Sequence, residues 1–101
     1  MILLWDGSVH GMGKVWVASK DEARTANVGL AVNCADFQTT YQPGVSPYWL
    51  HISYHGKIDR VTWYERVVRA IQHVLEALLA GKDVVIHCLH GQSGNQICLR
   101  T

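Results

Sequence analysis

The stretch "VVIHCLHGQSGN", residues 84–95, carries an apolar run into His87 and Cys88 and then into a loop holding Gly91 and Gly94. A cysteine at such a place is a nucleophile once it is a thiolate. A loop of small residues can turn its amide N–H groups inward onto a phosphate, and a helix N-terminus behind the loop adds the positive end of its dipole. Such surroundings lower a thiol pKa from about 8.5 by several units, so the attacking form exists at neutral pH. The same letters also fit a plainer account, a small buried cysteine at a strand end.

Positioning Cys88 requires a strand beneath it, and "DVVIHC" reads as a parallel strand covered on both faces. The element before it is the clearest in the chain. Tyr64, Val67, Val68, Ile71, Val74, Leu75, Leu78 and Leu79 recur at helical spacing, so a long helix is expected to bury that stripe against a sheet. "TWYE" offers it a Ser/Thr-x-x-Glu cap at Thr62, and Gly81 can take the left-handed conformation that ends it. Upstream, "MILLWDG" and "KVWVAS" are short strands around the Gly-bearing "SVHGMG", and Ser19 with Glu22 forms the reciprocal cap of a short helix. "VGLAVNC" is a buried strand, "DFQTTYQPGVSP" a loop, and "YWLHIS" the return to the sheet. The predicted order is β-β-α-β-β-α-β, then a loop.

Composition bounds the rest. One domain over 1–101 is expected, with no internal repeat or linker. A formal net charge of +1 gives no global drive toward nucleic acid or a membrane surface, so neither is an expected partner. "MILLW" stops at Asp6 and Gly7, far short of a membrane span or signal core. Cys34, Cys88 and Cys98 are odd in number and irregularly spaced, which suits reduced thiols and a cytoplasmic location.

In order along residues 5–91, "WDG", "VASKDEA", "VNCADF", "YWLHIS" and "TWYERVVRAIQHVLEALLAGKDVVIHCLHG" resemble the dual-specificity branch of the cysteine-based protein tyrosine phosphatases. The resemblance implies a three-layer α/β domain with a short central, mostly parallel sheet. It also implies dephosphorylation of Tyr, Ser or Thr in a phosphorylated protein or peptide, without metal or cofactor. In that family a strand delivers His-Cys into a loop of pattern HCxxGxxRS. Carried onto this chain, Cys88 is the nucleophile and His87, Cys88, Leu89, His90, Gly91, Gln92, Ser93 and Gly94 form the phosphate-binding loop.

Three departures accompany the resemblance. Six residues after Cys88, where the family carries an arginine that grips two phosphoryl oxygens, this chain has Gly94, followed by Asn95 in place of serine. Losing one such preorganised donor costs roughly 10²–10³ in rate. The general-acid aspartate, worth roughly 10²–10⁴, is displaced: Gly56 stands near its position. Asp59 is the nearest candidate, with capping of the long helix as its other role. Finally, the tail 92–101, "QSGNQICLRT", diverges from the family and is too weakly patterned for the helix that should back the loop. The domain is therefore expected to be incomplete at its C-terminal side, as in a truncated or alternatively spliced form. Apolar surface left uncovered would lead to self-association.

The expectation is thus a phosphatase that is weak or inactive. The alternative is a pseudophosphatase that binds phospho-residues or other proteins without turnover, and a thiol-dependent sulfur-transfer domain stands third. His87, Cys88, His90 and Cys98 are chemically suited to zinc, but their spacing lacks the usual ligand pairs, and no metal is expected. Lys57, Arg60, Arg66 and Arg69 form a basic group that either favours an acidic phosphopeptide or is a solvated helix face.

Overall fold

The computed structural model describes residues 1–52 and 58–88. In chain order they form β1 (Ile2–Asp6), a 3-10 turn (Ser8–His10), β2 (Lys14–Ala18), α1 (Lys20–Thr25), β3 (Leu30–Asn33), β4 (Ser46–Trp49), α2 (Arg60–Leu79) and β5 (Val84–His87). The five strands make one mixed sheet in the order β1-β2-β5-β3-β4. β1 is antiparallel to β2, whereas β2–β5, β5–β3 and β3–β4 are parallel. The α/β class and the element order read from the sequence are both present.

β5 is the centre of this sheet because its side chains are apolar on both faces. Val84 packs in a cluster with Val32, Leu50, Ala70 and Leu78, beneath α2. Val85 points the other way, into a smaller cluster with Ala18, Ala31 and Ala23 of α1. One helix therefore covers each face, and the small alanines let α1 approach closely. At the strand ends Asn33 is registered with His87 on one side and with Trp49 on the other.

α1 begins as its sequence predicts. The Ser19 side chain accepts the Glu22 N–H while Glu22 Oε1 accepts the Ser19 N–H at 3.0 Å, the reciprocal box that satisfies two orphan amides. Of the two caps the sequence offers α2, the structure uses the earlier one. Asp59, not Thr62, is the N-cap, its Oδ1 accepting the Thr62 N–H at 2.8 Å and its Oδ2 the Thr62 hydroxyl at 3.1 Å. An ionised carboxylate is the stronger acceptor and also favours the positive helix end, so the helix starts a turn earlier. At the other end Gly81 has φ 77°, and Lys82 and Gly81 donate to the carbonyls of Ala77 and Leu78, closing the helix with a Schellman turn. Gly13 lies against that turn. A Cβ there would stand 1.8 Å from the Lys82 carbonyl oxygen, so only glycine fits.

Two expectations need correction. The return strand begins at Ser46 and ends at Trp49, so it includes Pro47, and Leu50 to Ile52 lie beyond it. Pro47 lacks an N–H, but β4 is an edge strand and tolerates that loss. The apolar stripe of α2 does not form one buried face. Leu78 is buried, and Val67 and Val74 are partly so, whereas Tyr64, Val68, Ile71, Leu75 and Leu79 remain exposed. The apolar arc of α2 is wider than the contact the described sheet offers.

Candidate functional site

The parallel strands β3, β4 and β5 all end on the same edge of the sheet, the edge where α/β sheets place ligands in the crevice beyond their carboxyl ends. Hydrogen bonds tie the three ends together. The Cys34 N–H donates to the His87 carbonyl at 2.7 Å and the Leu50 N–H to the Asn33 carbonyl at 3.0 Å. The Asn33 side chain holds the turn after β3, accepting the Ala35 N–H and donating to the Phe37 carbonyl. Trp49 Nε1 then donates to the Ala35 carbonyl at 2.7 Å.

His87 and Cys88 leave β5 at this edge, 0 % and 2 % exposed. Burying an imidazole requires partners for both ring nitrogens. The Tyr41 hydroxyl lies 2.6 Å from Nε2, and Nδ1 lies 3.2 Å from the Cys88 carbonyl oxygen. A carbonyl can only accept, so Nδ1 carries the proton and Nε2 accepts from the phenol. Burial holds the His87 pKa below its ordinary value, while the Cys88 carbonyl opposes that shift and the nearby Lys20 charge reinforces it. Burial likewise pushes the Tyr41 phenol up to about 12. Both groups are therefore neutral at pH 7, and a directed chain runs from Tyr41 through His87 to the backbone of Cys88. Tyr41 was not singled out by the sequence, where it sits inside a Pro- and Gly-punctuated loop. The one available hint was general: a histidine after an apolar run needs a donor from elsewhere.

A second feature of the edge lies past β4. The His51 ring stacks on Trp49 with centroids 4.2 Å apart, and His51 holds φ 55°, a left-handed backbone that costs energy in a non-glycine residue. The Arg66 guanidinium donates to the His51 carbonyl and fixes this corner to α2. Arg66 thus serves the fold, and Arg60 opens α2; Lys57 lies outside the described residues.

Asp59 sits at the start of α2 with both carboxylate oxygens engaged by Thr62. The Thr62 amide, followed by its hydroxyl, holds the Asp59 pKa below the usual carboxylate range. That arrangement keeps Asp59 an anion and an acceptor, the reverse of what a proton donor needs. Leu89, His90, Gly91, Gln92, Ser93 and Gly94, the remainder of the expected phosphate-binding loop, lie outside the described residues, as does Cys98. Among the described residues no three His, Cys, Asp or Glu side chains gather as a metal would require, and no helix is long and apolar enough to cross a membrane.

No protein-family model, no curated protein and no solved structure matches this chain. The phosphatase resemblance accordingly rests on the motifs and their order alone.

Proposed function

We propose that the chain is a dual-specificity-phosphatase-like domain of three-layer type that binds a phosphorylated protein or peptide at the end of β5, with Cys88 as the attacking thiolate. The observation that carries this reading is the position of Cys88. It follows a central parallel strand at the carboxyl edge of the sheet, and its backbone is held by a buried, neutral His87 that is itself held by Tyr41. A loop leaving from so rigid a root can present its amides in a fixed array, which an oxyanion site needs. Turnover is weak, because Gly94 stands where a guanidinium would grip the phosphoryl group.

The non-catalytic variant of the same reading also has support. Asp59, the carboxylate nearest the general-acid position in sequence, is engaged as a helix cap and held as an anion. Phosphate binding without turnover is what such a site retains.

Hydrolysis of an activated aryl phosphate tests the assignment, since a good leaving group needs little protonation and leaves thiolate attack as the main demand. Cys88→Ser is expected to abolish the activity. Gly94→Arg is expected to raise it roughly tenfold, below the full contribution of a preorganised donor. Activity indifferent to Cys88→Ser would remove Cys88 as nucleophile. A folded Gly94→Arg protein with neither faster turnover nor tighter vanadate binding would favour an interaction module.

A further inference from the structure

The apolar residues of α2 that the sheet leaves uncovered are not scattered. Val61, Tyr64, Val68, Ile71 and Leu75 follow one another at steps of three, four, three and four, the spacing of a seam between two helices, and Leu79 adds one more step of four. Tyr64 is 59 % exposed, Ile71 51 %, Leu75 48 % and Leu79 71 %. Together the six side chains present roughly 600 Å² per molecule, and two copies whose helices overlap over part of that length would make the small contact of a weak, transient interface.

Beside this seam is an apolar cavity of about 230 Å³ between α2 and the sheet. Ile71 and Leu75 stand on both features, and Val32, Leu50, Ile52 and Ile86 form the cavity's far wall. Side chains from an opposing helix therefore have both a ridge to meet and a hollow to enter.

The polar flank of the seam says which helix that is. Glu65, Arg69, Gln72 and Glu76 run along one side of α2, with Arg69 and Glu76 both exposed. A second α2 laid parallel would set each of these charges against its own like. Laid antiparallel, with the twofold axis near Gln72, it sets Arg69 of each copy toward Glu76 of the other and leaves Ile71 and Leu75 near the axis, where a symmetric contact is best packed.

We propose that α2 is the homodimerisation element of this chain, pairing antiparallel with α2 of a second copy through Val68, Ile71, Leu75 and Leu79 of the seam and the adjoining cavity. Sedimentation of the whole chain tests it. A reversible dimer is expected to be populated by roughly 100 µM, as a contact of this small size allows. Leu75→Glu is expected to weaken it by roughly tenfold or more, since it buries a charge at the centre of the seam, with helical content by circular dichroism as the check on folding. Should that variant misfold, the charge swaps decide, because both positions are exposed. Arg69→Glu and Glu76→Arg alone each set like charges opposite twice, expected to weaken the dimer roughly tenfold, about 1.4 kcal/mol. The double swap is expected to restore it to about the parental strength. A monomeric parent overturns the proposal, and a monomer that Leu75→Glu destabilises would assign the face to the chain's own residues. A dimer unaffected by Leu75→Glu in the folded state, or single swaps not rescued by the double, overturns it equally.

Discussion

The hydroxyl of Tyr41 and Nε2 of His87, 46 residues apart in the chain, lie 2.6 Å from one another at the carboxyl edge of the sheet. Their rings meet edge to face, with centroids 5.5 Å apart. This contact fixes the tautomer of a fully buried imidazole, and through it the orientation of the peptide group that follows Cys88. Tyr41→Phe keeps the ring and deletes only the donor. It leaves Nε2 buried and unsatisfied, at a cost of about 1–3 kcal/mol. Urea unfolding of the two proteins measures this directly, and coincident transitions would mean that the phenol does not donate to His87.

Acidification acts on the same pair. The folded state holds His87 below its ordinary pKa, so the unfolded chain binds the proton more readily. The stability gained is fully present above the unfolded value, about 6.5, and is lost as pH falls toward the lowered folded value. Stability is expected to decline, through this residue, as pH falls below about 6.5. His87→Gln should remove that part of the decline, and the ring resonances of His87 should titrate at a lower pH than those of an ordinary histidine. A ring that titrates with an ordinary value would contradict the burial argument.

Asp59 separates capping from acid catalysis. Asp59→Asn keeps an N-cap acceptor and removes the ionisable group, whereas Asp59→Ala removes both. If the residue is a cap, Asn is expected to be nearly neutral and Ala to lower the thermal midpoint by a few degrees, with turnover of a phosphotyrosine peptide, whose poor leaving group needs a proton, unchanged in each folded protein. Loss of that turnover in the stable Asn variant, with aryl phosphate hydrolysis kept, would instead give Asp59 the proton.

Gly13→Ala forces a methyl into the Lys82 carbonyl at the turn that closes α2. The two backbones must separate, and overpacking of this kind costs about 1–3 kcal/mol or more. Gly11→Ala is its control, because that position has open space and only a left-handed φ of 70° to oppose it. Equal midpoints for the two variants would show that the turn yields easily.

Much of the fold was legible in the residues. Ser19 and Glu22 announced α1 because a capping box is a local device, complete within four residues. Gly81 announced the end of α2 for the same reason, and the run Val84 to Ile86 announced a strand apolar on both faces. Most of the differences arose where a partner distant in sequence decides, and one, the choice of cap for α2, within a single turn. Pro47 looked like a loop marker, and only its place on the sheet's edge permits it in a strand. Thr62 and Asp59 are both good caps by type; the carboxylate wins because it reaches the Thr62 amide and hydroxyl together. The stripe of α2 showed that the helix has a wide apolar arc, but not how much of it one sheet covers. At the site, Cys88 and His87 were marked by their strand, while Tyr41 was hidden because nothing local links it to a histidine so far along the chain.

The central place of β5 also sets a schedule for the chain during synthesis. β2 and β3 do not bond to each other; each bonds to β5 instead, and β5 is made after both. Until Val84 to His87 leave the ribosome, the nascent molecule holds two separate strand pairs whose inner edges are open, with apolar faces waiting for a strand not yet translated. Pairing residues so far apart also makes closure slow. The vulnerable interval is therefore the whole of elongation up to His87, and the sheet is completed in one late step. Nascent chains stalled before Val84 should be digested throughout by protease, and a protected fragment spanning β1 to β4 in such chains would refute this schedule.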